Sequence, residues 1–183
     1  MVRLAWDERV VDMSTERRPW AVLAAGVIVG LISGAALGVV WAALAPRVPM
    51  VIQPELTRPD GFQPEGYLAS DVAFGVLGIV AGLAVTIGLA YMRREHLLTV
   101  LGAGLIASAV GTAAMWWVGT RLGSVDIEGL QATTDGELVV DGPLEVTLPG
   151  MFLMWALSSA IVVTILARGD WMSEVRKAGR EVR

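Results

Sequence analysis

The stretch GVIVGLISGAALG, residues 26–38, places a glycine at every fourth position of an otherwise apolar run. Glycine costs about 1 kcal/mol relative to alanine in a helix interior, so its repeated use needs a compensating gain. In a bilayer, helices associate by close approach of their backbones, which small residues permit. Residues four apart share one helix face. The pattern therefore predicts a membrane-spanning helix with a glycine-zipper packing face, formed by Gly26, Gly30, Gly34 and Gly38.

The composition indicates an integral membrane protein. The 183-residue chain is 55% hydrophobic and only 17% charged, with a mean hydropathy of +0.62. A helix of about 20 apolar residues crosses a hydrocarbon core of roughly 30 Å. We predict an all-α membrane protein, a single domain in which four transmembrane helices form a bundle. The predicted spans are residues 20–46, 71–92, 97–120 and 148–167.

The distribution of basic residues predicts the orientation of the chain. With a cytoplasmic N-terminus, the inner segments are residues 1–19, the turn 93–96 and the tail 168–183. They hold eleven of the fourteen Lys and Arg residues, which leaves three for the outer loops. Cytoplasmic loops carry such an excess of positive charge. Both termini are therefore expected in the cytoplasm, and the Arg-, Ala- and Gly-rich composition favours a bacterial plasma membrane.

The two outer loops differ in their local signals. The first, residues 47–70, is rich in proline, so we expect it to be extended and irregular, with a turn at residues 58–61. The second, residues 121–147, contains Asp135 and Gly136 between short β-branched runs. An Asp-Gly pair in this setting is a strong hairpin signal. The sequence thus predicts a small extracytoplasmic β-hairpin element in the loop between spans 3 and 4.

Two sets of residues are candidates for contacts between helices. The glycine face of span 1 could pack on another span of the same chain, where Gly78 and Gly82 of span 2 repeat the spacing. It could instead bind a second copy or a partner subunit. Asp71 and Arg121 lie at the same outer edge of spans 2 and 3, so we expect them to form an ion pair. The alternative is that Asp71 only caps the start of its own helix.

The motifs of common catalytic and metal sites do not occur in the sequence. There is no cysteine and only one histidine, His96, so a standard zinc site cannot form. No Walker A, H-E-x-x-H or G-x-S-x-G motif occurs. We therefore expect a protein that is not an enzyme, with no catalytic residue, cofactor or metal. The expected partners are membrane lipid and either a partner subunit or a second copy, but not nucleic acid.

Three stretches resemble a known group of proteins: GYLASDVAFGVLGIVAGL (66–83), WWVGTRLG (116–123) and GPLEVTLPGMFLMWAL (142–157). They are similar to an uncharacterised actinobacterial family of four-span integral membrane proteins, a domain of unknown function. The resemblance covers residues 20–167. It implies a plasma-membrane location and four helices, and it implies no activity.

Two functions are compatible with these features. The first is a non-enzymatic accessory or scaffold subunit of a larger cell-envelope or respiratory membrane complex. The second is a small oligomeric channel or transporter assembled through the glycine face of span 1. No ionisable residue falls in the middle of a predicted span. Such residues usually mark ion and proton pathways, so the sequence favours the first function.

Overall fold

The computed structural model describes residues 19–53, 56–61, 64–92, 97–133 and 135–181. Their helices are α1 (Pro19–Leu44), α2 (Pro64–Met92), α3 (Leu97–Leu122), the short α4 (Ile127–Thr133) and α5 (Met154–Glu181). A 3₁₀ turn, Pro149–Leu153, leads directly into α5. The predictions for the inner turn 93–96 and for residues 1–18 lie outside the described residues.

Four of these helices are long and apolar enough to cross a membrane. The qualifying segments are Ala21–Leu44, Pro64–Met92, Leu97–Thr133 and Pro149–Ser173. The predicted fold class, an all-α membrane protein with four long helices, is confirmed. Two helices extend beyond their predicted spans: α2 begins at Pro64 rather than at residue 71, and α5 continues to Glu181 rather than ending at residue 167.

Helices α1 and α3 pack with their backbones in direct contact. A Cβ atom added at Gly26 would lie 2.7 Å from the Ala103 carbonyl oxygen, and one at Gly30 would lie 2.5 Å from the Ala107 oxygen. These distances are shorter than carbon and oxygen atoms tolerate. The Hα atoms of the glycines therefore point at carbonyl groups of α3, as in Cα–H···O contacts between close helices. The numbers of the contacting residues increase in the same direction along α1 and α3, so the two helices run parallel.

The contact continues to the other end of the glycine face. A Cβ at Gly34 would overlap the Gly111 carbonyl oxygen, and one at Gly38 would lie 2.7 Å from the Met115 oxygen. All four glycines of the predicted packing face thus lie against α3 of the same chain. Span 3 contributes every fourth residue in return, namely Ala103, Ala107, Gly111 and Met115.

Helices α2 and α5 form the second parallel pair, and glycines lie at their contact too. A Cβ at Gly78 would lie 3.5 Å from the Trp155 backbone nitrogen, in ordinary van der Waals contact. At Gly82 the space is tighter, since an added Cβ would lie 2.6 Å from the Trp155 carbonyl oxygen. Gly78 and Gly82 therefore face α5 and not the glycine face of α1.

A three-stranded antiparallel sheet lies at the end of the bundle where α1 ends and α2 begins, which we call the sheet end. Strand β1 (Pro49–Gln53) is central, between β2 (Leu56–Pro59) and β3 (Leu138–Asp141). Val51 and Ile52 of β1 are buried. Gly61 has a φ of +77°, which lets the chain turn out of β2 towards α2.

The predicted location of the β-hairpin is wrong. Within the described part of the second loop, residues Ile127–Thr133 form α4 and not a strand before Asp135. Strand β3 therefore pairs with β1, from the first loop, which was expected to be irregular. The prolines of that loop are compatible with strands because Pro49 begins β1 and Pro59 ends the edge strand β2. Proline is tolerated at such positions because no ladder hydrogen bond is lost there.

Candidate functional site at the junction of sheet and helices

Asp71 is the one acidic side chain that is fully buried among the described residues. It lies in α2, about two turns after the helix begins at Pro64. A buried carboxylate is costly unless hydrogen-bond donors surround it. The segment that leads into the 3₁₀ turn and α5 provides these donors, so Asp71 connects two parts of the chain that are distant in sequence.

Three hydrogen bonds satisfy the Asp71 carboxylate. The Thr147 backbone N–H donates to Oδ1 at 2.9 Å, and the Leu148 N–H donates to Oδ2 at 2.9 Å. The Thr147 hydroxyl donates to Oδ2 at 2.5 Å. Hydrogen bonds to an ionised group are shorter and stronger than neutral ones. Because both oxygens are engaged, the carboxylate links α2 to the segment that leads into α5.

The structure assigns Asp71 neither of the roles predicted from the sequence. It does not cap α2, because α2 begins well before it at Pro64. Its partners instead precede Pro149, the first residue of the 3₁₀ turn, so Asp71 caps the entry to α5 from a neighbouring helix. The N–H groups before a helix start lack intrahelical partners, which explains why this segment offers donors.

The predicted ion pair with Arg121 is not formed. Arg121 is exposed, and its guanidinium carbon lies 5.6 Å from the centroid of the Trp117 ring, in a cation–π contact. Asp71 is buried on the side of α2 that faces α5. The two side chains share an end of the bundle but point in different directions. Sequence position gave the depth of each residue but not the helix face it occupies.

Trp41 holds α1 against its neighbouring helices at the sheet end of the bundle. Its indole N–H donates to the Ser70 carbonyl oxygen at 3.1 Å, and its ring meets Phe74 edge-on with centroids 5.0 Å apart. The indole also fills the space beside Gly119 of α3, where an added Cβ would lie 2.7 Å from Trp41 Cζ3. One buried side chain from α1 thereby contacts both α2 and α3.

Backbone hydrogen bonds join the two loops to this junction. The Gly142 N–H donates to the Val48 carbonyl at 2.9 Å, and the Leu144 N–H donates to the Gly123 carbonyl at 3.1 Å. Leu144 is buried in the apolar cluster that contains Trp41 and Phe74. The first bond continues the pairing of β1 with β3, and the second attaches the chain after β3 to the end of α3.

Two open grooves flank the junction. One, of about 540 Å³, lies beside Asp71 and is lined mainly by apolar groups, and the other, of about 420 Å³, lies between α3 and the chain that follows β3. Among the described residues, no three His, Cys, Asp or Glu side chains are close enough to hold a metal ion. The first groove is lined by Pro59, Gly61, Pro64, Tyr67, Leu68, Thr147 and Leu148.

Sequence reasoning found Asp71 and missed its partners. A signal for them was present: Leu148-Pro149 marks the start of a helical segment, since proline favours the first helical position. The N–H groups just before that start need acceptors, and Asp71 is the carboxylate nearest to an apolar span. The contact of Trp41 with Ser70 has no comparable signal, because nothing in the sequence relates the end of α1 to the start of α2.

Comparison of the chain with protein-family models, with curated proteins and with solved structures gave no match.

Substitution of Asp71 will test whether its side chain interacts with Thr147 or with Arg121. Asp71→Asn removes the charge, and its amide nitrogen cannot accept the Leu148 N–H, so we expect unfolding in detergent to require about 1–3 kcal/mol less free energy. Arg121→Gln removes only the contact with Trp117 and should lower stability by no more than about 1 kcal/mol, and its effect should add to that of Asp71→Asn. Thr147→Val combined with Asp71→Asn should be non-additive, because the two residues share a hydrogen bond.

Glu145→Gln is the matched control, since Glu145 is an exposed carboxylate in the same segment. It should change stability by no more than about 0.5 kcal/mol. A coupling energy between positions 71 and 121 as large as that between 71 and 147 would contradict the assignment.

Proposed function

We propose that the chain is a non-enzymatic accessory or scaffold subunit of a larger cell-envelope or respiratory membrane complex. The observation that carries the proposal is the edge strand β3 (Leu138–Asp141). Among the described strands it has a neighbour on one side only, and Val139 is 55% exposed. Natural proteins usually protect such an edge with charge, proline or a covering element. An exposed apolar edge suits a partner that adds a strand to the sheet.

The junction supports the proposal because it holds this edge strand rigidly. The Leu144 backbone bond attaches the chain after β3 to the end of α3, and Asp71 of α2 binds the same chain at Thr147 and Leu148. A docking surface on a rigid element loses little conformational entropy when a partner binds. The buried polar groups at the junction thus serve to position a surface, in keeping with a scaffold.

The outward faces of the helices support membrane lipid as a further partner. Leu157 and Ile165 of α5 and Val76 and Ile87 of α2 are exposed apolar side chains in the isolated chain, and the exposed fraction of Ile32 of α1 is 68%. Such side chains are compatible with a lipid environment, where no water has to be excluded from them.

The alternative, an oligomeric channel assembled through the glycine face of span 1, has less support. The face made by Gly26, Gly30, Gly34 and Gly38 is covered by α3 of the same chain. A second copy could reach these glycines only if α3 first moved away.

For location we propose a bacterial plasma membrane with both termini in the cytoplasm. The support is the concentration of eleven of fourteen basic residues in the segments assigned to the cytoplasm. The resemblance to actinobacterial four-span proteins is in keeping with this location. The sheet and the edge strand β3 would then lie outside the cell membrane, where an envelope partner could reach them.

Single cysteines will test this orientation, because the chain has no cysteine of its own. Ser124→Cys lies on the exposed chain after α3, and Ser173→Cys lies near the opposite end of α5. A membrane-impermeant maleimide added to cells or spheroplasts with a sealed inner membrane should label the Ser124→Cys variant and not the Ser173→Cys variant. Permeabilised cells, in which both variants should react, are the control. Labelling of the Ser173→Cys variant alone in sealed cells would reverse the orientation.

Purification of the tagged chain from native membranes in mild detergent will test the scaffold function. We expect a stoichiometric foreign partner that native mass spectrometry detects in complex with the chain. Val139→Glu places a charge on the exposed edge and should weaken recovery of that partner by about tenfold, equivalent to roughly 1.4 kcal/mol. Ala132→Glu, an exposed position of α4, adds the same charge away from the edge and should leave recovery unchanged.

Two outcomes would contradict the proposal. Recovery of the chain only as a monomer would remove the partner, and a homo-oligomer without a foreign subunit would favour the channel. A partner that Val139→Glu and Ala132→Glu retain equally would preserve the scaffold function and exclude the edge strand as its docking surface.

A further inference from the structure

Backbone hydrogen bonds define which residues of β3 face its free edge. The Gly142 N–H donates to the Val48 carbonyl at 2.9 Å, and this pair continues the register of β1 with β3. In an antiparallel ladder, residues that bond to the partner strand alternate with residues that do not. Val140 and Leu138, two and four positions before Gly142, therefore bond to β1.

Val139 and Asp141 of β3, and Glu137 just before it, direct their N–H and C=O groups to the free edge. Among the described strands, none lies on that side. The Gln53 side chain donates to the Glu137 carboxylate at 3.3 Å, which agrees with the register. Alternate side chains of a strand share one face of the sheet, and these three are all exposed. An added strand would therefore meet a negative charge on each side of Val139.

We infer that this edge binds an extended segment of the partner in which two basic residues flank an apolar one at alternate positions. The inference rests on the proposed function, to which it adds the chemistry of the partner. Opposite charges directly across two paired strands stabilise the pair, and so do apolar side chains in contact. The order acidic, apolar, acidic is the same in both directions along the edge, so either direction of the added strand is served by the same basic pattern.

The same charges disfavour a second copy of the chain as the occupant. Two copies of β3 paired antiparallel about Val139 would place Glu137 of each copy opposite Asp141 of the other. Like charges directly opposite one another destabilise a sheet. Charged residues are a usual protection of edge strands against such pairing. The edge is thus protected from a second copy, whereas a basic strand would meet opposite charges there.

The charge of the surrounding surface favours the same partner. The two loops at this end, residues 47–70 and 121–147, contain nine Asp and Glu residues against three Arg residues and no Lys. A surface of one sign attracts molecules of the opposite charge and raises their rate of association. Such attraction does not select a place on the surface. The unpaired backbone groups of the β3 edge do, because they require an extended segment.

Two synthetic peptides test the inference on the purified chain in a neutral detergent. The basic peptide carries Lys, Val and Lys at alternate positions with threonine between them, and the acidic peptide carries Glu in place of both Lys. We expect the basic peptide to bind about tenfold more tightly in fluorescence anisotropy at low salt. Higher salt should reduce this difference, because exposed charges are screened. Equal affinities, or no binding of the basic peptide at about 1 mM, would overturn the inference.

Paired substitutions show whether the edge is the binding site. Glu137→Gln with Asp141→Asn removes the two charges of the edge and should weaken binding of the basic peptide by about fivefold. Glu128→Gln with Glu145→Gln removes two exposed charges of the same loop that do not belong to the edge, and should change binding by no more than about twofold. Unchanged melting temperatures will confirm that both double variants are folded. An equal loss of binding in the two would indicate general attraction to an acidic surface and would overturn the inference.

Recovery of the native partner separates this inference from the proposed function. We expect Glu137→Gln with Asp141→Asn to lower the recovery of that partner from native membranes, and the control pair to leave it unchanged. A partner that both double variants retain equally would preserve the scaffold function and overturn the basic segment. Binding of the basic peptide at the edge with no partner recovered would support the edge as a binding site and contradict the scaffold function.

Discussion

The backbones of α1 and α3 touch along the whole glycine face, and the rest of the architecture depends on that contact. Four glycines at four-residue spacing place their Hα atoms against carbonyl groups of α3, so no side chain separates the two helices. Close approach of this kind strengthens dispersion and Cα–H···O contacts, which drive association where the hydrophobic effect is absent. With α1 and α3 in register, Trp41 reaches the space beside Gly119. At the sheet end, this side chain then contacts both α2 and α3.

Glycine has a second use in this protein, which is to make room for large or polar groups. Gly119 accommodates Trp41, and Gly111 accommodates the ring of Trp155. Gly82 lets the α5 backbone approach α2, and Gly104 lets α3 pack closely against Thr86 of α2 and Ser159 of α5. The bundle is therefore built from two tightly packed parallel pairs.

The sequence predicted the helices and the glycine face because both depend on periodicity within one segment. Hydropathy marks a span, and the four-residue repeat marks a helix face, without knowledge of any partner. The partner of Asp71 could not be found in this way, since Thr147 lies 76 residues away and the pairing depends on how α2 and α5 are rotated. The hairpin was misplaced for a similar reason: Asp135-Gly136 is a local turn signal, whereas β3 pairs with a strand from the other loop.

The stability of Gly30→Ala relative to that of Gly88→Ala shows whether α1 and α3 meet through their backbones. Both changes add one methyl group to a helix, but at Gly30 it would lie 2.5 Å from the Ala107 carbonyl oxygen, whereas at Gly88 it would contact no other described element within 4 Å. The account predicts that Gly30→Ala lowers the free energy of unfolding in detergent by about 1–3 kcal/mol, the usual effect of overpacking. Gly88→Ala should be neutral or stabilising by up to about 1 kcal/mol. Equal stability of the two variants would show that α1 and α3 do not meet through their backbones.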